Sequence, residues 1–84
     1  MTAEEVEDVC IEVRDEVIRA TSHHGPMTSA HEGYAVLLEE VDELWEEVKK
    51  NPRKHPETFA KRREEAIQIA AMAVRFVLDV CYKR

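Results

Sequence analysis

Residues 66–81 constrain this chain more than any other segment. Ile67, Ile69, Ala70, Ala71, Ala73, Val74, Phe76, Val77, Leu78 and Val80 make the stretch apolar around well over half the circumference of a helix. A helix so widely apolar belongs in the middle of a bundle, with neighbours on several sides. The chain has only 84 residues, and ordering each costs roughly 1.5 kcal/mol, nearly all that one small core supplies. Two companion helices do not easily cover that much surface. The expectation is an all-α, three-helix protomer that assembles into a homo-oligomer, a dimer or tetramer, with a shared four-helix-bundle core.

The breakers agree with three helices. Gly25, Pro26 and Gly33 fall in one region and Pro52 and Pro56 in another, with no other Gly or Pro, so the chain reads as one domain with helices at about residues 3–20, 30–50 and 56–82. Thr2 with Glu5 forms a capping-box pattern at the first helix, and Ser29 with Glu32 repeats it at the second. Pro56 suits the first position of the third. Val6, Val9, Cys10, Val13, Val17 and Ile18 make one stripe on the first helix, and Glu4, Glu7, Asp8, Glu12, Arg14 and Asp15 its solvated face. On the second helix, Tyr34, Leu37, Leu38, Val41, Leu44, Trp45 and Val48 fall within a narrow arc and are expected to form its core seam. Gly33 interrupts that helix, marking close helix contact or room for a ligand.

Charge narrows the function. Twelve Lys and Arg against 18 Asp and Glu leave a net −6, the wrong sign for a general clamp on a nucleic-acid polymer. No stretch approaches the roughly 20 apolar residues that span a bilayer, and the acidic N-terminus is unlike a secretory signal. A cytoplasmic protein without a membrane partner is expected, with Cys10 and Cys81 as buried free thiols. His23 and His24 are consecutive, so their side chains diverge, and neither has a third ligand at zinc spacing. No His follows a carboxylate at the Glu-x-x-His spacing of di-iron bundles.

The acidic residues hold the candidate chemistry. Glu40, Glu43 and Glu47 lie on one strip beside the apolar seam of the second helix, with Glu39, Asp42 and Glu46 towards solvent. Like charges at this spacing repel, and a divalent cation would offset the cost. On the third helix Glu65, Gln68, Met72, Arg75 and Asp79 form another strip. With helices two and three antiparallel, Glu40 and Glu43 face Glu65 and Gln68, three carboxylates and an amide oxygen, a donor set that suits hard cations such as Mg²⁺. In so acidic a chain the same spacing also describes an ordinary solvated face.

Leu38-Glu39-Glu40-Val41-Asp42-Glu43-Leu44, followed after a basic turn by Arg63-Glu64-Glu65-Ala66-Ile67-Gln68-Ile69-Ala70-Ala71, resembles the paired helix motifs of the MazG-like nucleoside triphosphate pyrophosphohydrolases. These belong to the all-α pyrophosphatase superfamily, which also includes dimeric dUTP diphosphatases. The similarity spans about residues 31–80 and includes the His31-Glu32-Gly33-Tyr34 of small phage-type members. It implies cleavage of a nucleoside triphosphate to monophosphate and pyrophosphate with Mg²⁺, or Mn²⁺, as cofactor. The family pattern is E-x-x-E on one helix and E-x-x-D on the next, so Glu40, Glu43 and Glu65 would hold the metal. Gln68 stands where Asp is expected, which removes one negative charge or moves Gln68 to an outer, hydrogen-bonding role. Glu39 or Glu43 would position the attacking water, and Glu64 and Asp79 would support the ligands from behind. The departure at Gln68 favours a second reading, a catalytically degenerate oligomer that binds nucleotide or a protein without turnover.

Arg53, Lys54, Lys61, Arg62 and Arg63 bracket the turn before the third helix. They serve either to neutralise a triphosphate beside the metal or as a solvated loop face. The solvated face is the ordinary expectation, and the first reading gains from the fact that cations at a helix N-terminus oppose its dipole. Arg75, isolated on an apolar helix, is expected to pair with Asp79 or Glu65 or to contact phosphate.

Overall fold

The computed structural model describes residues 1–82, and among them the protein is all-α. Helix α1 spans Ala3–His23, α2 Ala30–Val48 and α3 Thr58–Phe76, and α3 runs into a π-helical turn over Val77–Cys81. No helix among these residues is long and apolar enough to cross a membrane.

The helix ends follow from local chemistry. The capping box of α1 is complete: the Thr2 amide donates to Glu5 Oε1 at 3.0 Å and the Glu5 amide to Thr2 Oγ1 at 3.1 Å. The helix runs three residues beyond the expected end, and within that last turn Thr21 and Ser22 turn their hydroxyls back to the carbonyls of Val17 and Ile18, at 2.7 and 2.9 Å. Ser29 caps α2 through the Glu32 amide at 3.1 Å, but the Glu32 carboxylate takes the Thr28 hydroxyl instead of closing the box. Fully buried Thr58 and half-buried Arg62 end α2. Thr58 Oγ1 donates to the Glu47 carbonyl at 2.7 Å, while Arg62 reaches the carbonyls of Glu47, Val48 and Lys50 at 3.2–3.4 Å. These donors satisfy carbonyls that a helix terminus leaves orphaned, so α2 ends at Val48 and α3 starts at Thr58, two residues after Pro56.

Helix α3 lies between the other two, packed against both. It is antiparallel to α2, with Thr58 beside Glu47 and Phe76 beside Gly33. It is parallel to α1, with Arg63 paired to Glu12 and Arg75 bonded to Gly25 just past the end of α1. The buried core is small: Val17, Ala20, Met27, Ala71 and Met72, with Val13, Val36, Leu37, Phe76 and Val80 packed around it. It sits where the C-terminal end of α1, the start of α2 and the end of α3 meet.

Three expectations are corrected here. On α2 the residues turned towards α3 are Gly33, Leu37, Glu40, Leu44 and Glu47, while Tyr34 and Trp45 are 62% and 55% exposed. The expected seam therefore splits, because the α3 contact lies about a quarter-turn away from the apolar arc. Cys10 and Cys81 are free, as expected, but exposed. On α1, Val6, Val9 and Ile18 are also exposed, although their stripe was expected to be buried.

Gly33 is a close helix contact. A Cβ there would lie 2.6 Å from Phe76 Cδ2 and 3.1 Å from Met27 Sδ. Overpacking of this kind costs about 1–3 kcal/mol, more than the gain in helix propensity returns. Gly33→Val should lower the thermal midpoint measured by circular dichroism, and adding Phe76→Leu should restore part of the loss.

The connection between α1 and α2 is pinned to the end of α3. Buried Arg75 donates to the Gly25 carbonyl at 2.7 Å, and Asp79, 4.0 Å from Arg75, accepts from the Met27 amide at 2.9 Å. Arg75→Met leaves an acceptor and a carboxylate without their cation. The expected cost is about 1.5–3 kcal/mol in chemical denaturation, the range for hydrogen bonds to charged groups.

Candidate metal centre

The antiparallel register of α2 and α3 assembles the site. Glu40 and Glu43, three residues apart, project on one side of α2, and Glu65 meets them from α3. The three residues each present a carboxylate oxygen, and these oxygens all lie within 4.8 Å of one another. Glu40 and Glu65 are half-buried and Glu43 is exposed. Glu65 Oε2 is buried with no hydrogen-bond partner, an unusual state for a carboxylate oxygen.

Electrostatics register the strain. Burial, then a hydrogen bond and charge repulsion from Glu43, with Glu40 and Glu64 adding to it, push the Glu65 carboxyl up from 4.5 to about 7. Glu40 is raised as well, by burial first and then by Glu43, Glu39 and Glu16. Without a cation the cluster relieves its repulsion by holding a proton. A divalent ion would displace that proton and satisfy the orphaned oxygen, so the donor set fits Mg²⁺ or Mn²⁺: three carboxylates, no sulfur and no imidazole.

A fourth carboxylate comes from α1. Glu16 sits beside the Gln68 amide and is paired with Arg19, which holds its carboxyl below the usual range. Its charge reaches Glu40. The sequence reading missed Glu16, although Glu12, Glu16 and Arg19 share a strip flanking the Val13 and Val17 stripe, the signal that would have found it.

The other sequence candidates are distributed unevenly. Beside the cluster lies a cleft of about 530 Å³ with α3 as its floor and α1 and α2 as its walls. It is lined by Arg19, Gly25, Glu39, Glu40, Gln68 and Arg75 among others, a size suited to a small molecule. Glu39 therefore faces the cleft, and Gln68 and Arg75 line it. Arg75 spends its guanidinium on Gly25, and Asp79 holds the Met27 amide. Glu64 lines a separate polar depression between α1 and α3, with Glu12, Glu16 and Arg63. Lys61 lies one helical turn before Glu65. Arg62 is committed to the end of α2, and Lys54 sits in the turn between α2 and α3, where its amide bonds the Asn51 carbonyl at 3.0 Å.

Comparison of the chain with protein-family models, curated proteins and solved structures gave no match.

The raised Glu65 sets a pH dependence. A carboxyl whose pKa is higher in the folded state binds its proton more tightly there, so its stabilising contribution is complete below about 4.5 and is lost as the pH rises to about 7. Metal-free protein should lose thermal stability across that window, and Glu65→Gln should flatten the loss. Adding Mg²⁺ at pH 8 should raise the midpoint of the wild type but not of the variant, by the linkage of ligand binding to folding.

Proposed function

We propose that the protein is a Mg²⁺-dependent nucleotide pyrophosphohydrolase that cleaves a nucleoside or deoxynucleoside triphosphate to monophosphate and pyrophosphate. The observation that carries this reading is the meeting of Glu40, Glu43 and Glu65 around the unpartnered Glu65 oxygen, next to a cleft of ligand size. The resemblance of residues 38–44 and 63–71 to the MazG-like motifs supports the same substrate class.

Glu40, Glu43 and Glu65 would hold the ion, with Gln68 adding an amide oxygen or a hydrogen bond from outside the ligand set. The ion, when bound, supplies charge neutralisation for phosphate oxygens and acidifies a coordinated water. Glu39, on the cleft wall, or exposed Glu43 would orient that water and accept its proton. The cleft is acidic on the α2 side, so a bound ion would be needed to meet the charge of a triphosphate there, and Arg19, paired with Glu16, is the exposed arginine of its lining. Lys61 adds positive charge beside Glu47, one turn along α2 from Glu43.

A second reading rests on Gln68. Its amide lies against Glu16, which Arg19 already neutralises, an arrangement that suits a site which retains nucleotide without turning it over. Purified protein incubated with Mg²⁺ and a panel of triphosphates separates the two. Release of pyrophosphate from at least one triphosphate, reduced about 100-fold or more by Glu40→Gln, is expected; outer partners of metal ligands alone cost 10–100-fold. Hydrolysis that emerges only in Gln68→Asp would establish the non-catalytic reading, and no pyrophosphate from either protein would remove the enzyme reading altogether.

A further inference from the structure

The cleft beside the carboxylates changes character along its length. At one end Glu40 and Gln68 border the carboxylate cluster. The middle is apolar, with Met27 and Met72, 4% and 5% exposed, beside Val36. At the other end lies Arg75, itself only 5% exposed. Arg75 follows Glu65 by ten residues, about 15 Å along α3, and helical side chains lean back towards the N-terminus, which shortens the gap. That separation is of the order that parts the phosphates of a nucleotide from the edge of its base.

The guanidinium is under-used for so buried a cation. Its N–H donors form a rigid planar fork. Nη2 donates to the Gly25 carbonyl at 2.7 Å, whereas Nη1 finds only the Met72 thioether, a weak acceptor, at 3.7 Å. Asp79 lies 4.0 Å from Nη2, beyond hydrogen-bond reach, and its Oδ2 accepts from the Met27 amide. Gly25 and Met72 both line the cleft, so the unspent donors adjoin it. Buried polar groups are ordinarily satisfied, and a ligand oxygen or ring nitrogen is a better acceptor than the sulfur it would replace.

Two donors side by side match two acceptors side by side. Guanine offers such a pair in O6 and N7, and cytosine in O2 and N3. Adenine sets its amine beside N7 and N1, and uracil and thymine set an N–H between their carbonyls, so a donor of the base meets a donor of the fork. Guanine and cytosine also carry an exocyclic amine, which suits the acidic α2 wall; uracil and thymine carry none. The thioethers of Met27 and Met72 supply soft, polarizable contacts for a ring.

We propose that the Arg75 end of the cleft is a nucleobase pocket, in which the unspent side of the guanidinium selects guanine and cytosine over adenine, uracil and thymine. This selection rests on the nucleotide reading above and is separable from turnover.

Calorimetric titration of the whole chain with Mg²⁺ and α,β-imido triphosphates, which resist cleavage, reads binding alone. The guanosine or the cytidine form, or both, should bind about tenfold or more tightly than the adenosine and uridine forms, as one bidentate base contact gives. Removing one acceptor of the pair, as in 7-deazaguanosine or 3-deazacytidine, should cost the preferred base about tenfold. Arg75→Lys keeps the charge and loses the fork, so it should bring the four bases to within about threefold and leave the binding of Mg²⁺ with tripolyphosphate unchanged. The deaza ligands test the wild type even where the variant fails to fold. Less than about tenfold preference, a preference for adenine or uracil, a deaza form that binds as its parent does, or selectivity that survives in folded Arg75→Lys would overturn the proposal. So would binding of tripolyphosphate with Mg²⁺ but of no nucleotide analogue; if tripolyphosphate fails to bind as well, the nucleotide reading itself falls.

Discussion

The contact between α2 and α3 is made with carboxylates where a helix pair would normally place aliphatic side chains. Glu40 and Glu47 face α3 from α2, and Glu65 faces back. Glu47 is satisfied locally, by Lys50 at 2.8 Å and by the Thr58 hydroxyl at 3.1 Å. Glu40 and Glu65 have no such cation and share their environment with Glu43. Removing charge from water is costly unless an opposite charge accompanies it, so this contact carries a deficit that a proton relieves. The rest of the architecture is consistent with that choice. With acids turned inward, the apolar stripe of α2 faces elsewhere, and the core among the described residues has five buried apolar members.

What holds the helices in place despite so small a core is a set of directional contacts at the two ends of α3. At its start, Thr58 and Arg62 tie the end of α2 to the first turns of α3. At its end, Gly33 lets α2 approach the Phe76 ring, and Arg75 and Asp79 fasten the preceding connection. The carboxylates sit between these two anchor points, so their separation is set by backbone positions fixed on either side. A site built on helices restrained in this way is held more precisely than one built on loops.

Much of this was legible in the sequence for identifiable reasons. Caps such as Thr2 and Ser29 act over three residues, and the short connection between the second and third helices leaves an antiparallel pairing as the natural outcome, which brings Glu40 and Glu43 to Glu65. The rotation of α2 was not legible, because hydrophobic periodicity finds an apolar arc but does not say whether this chain or another molecule covers it. Glu16 was hidden by its neighbours: in an acidic helix one half-buried carboxylate looks like the exposed ones until α1 is placed. The widening of the last turn, where the Tyr82 amide bonds the Val77 carbonyl at 3.2 Å, follows no local signal. It coincides with Asp79 reaching the Met27 amide. Arg62 read as a phosphate ligand or a loop cation because sequence alone does not reveal which carbonyls a helix end leaves open.

The fastening of the α1–α2 connection also has a temporal side. Arg75 meets Gly25 across 50 positions of the chain, and Asp79 meets Met27 across 52, whereas Thr58 meets Glu47 across 11. Short loops close at lower entropic cost and earlier than long ones. The hairpin of α2 and α3, which already contains Glu40, Glu43 and Glu65, is thus the natural first unit to assemble. Helix α1 then docks onto a preformed pair, and only its arrival delivers Glu16 and Arg19 and gives the cleft its second wall.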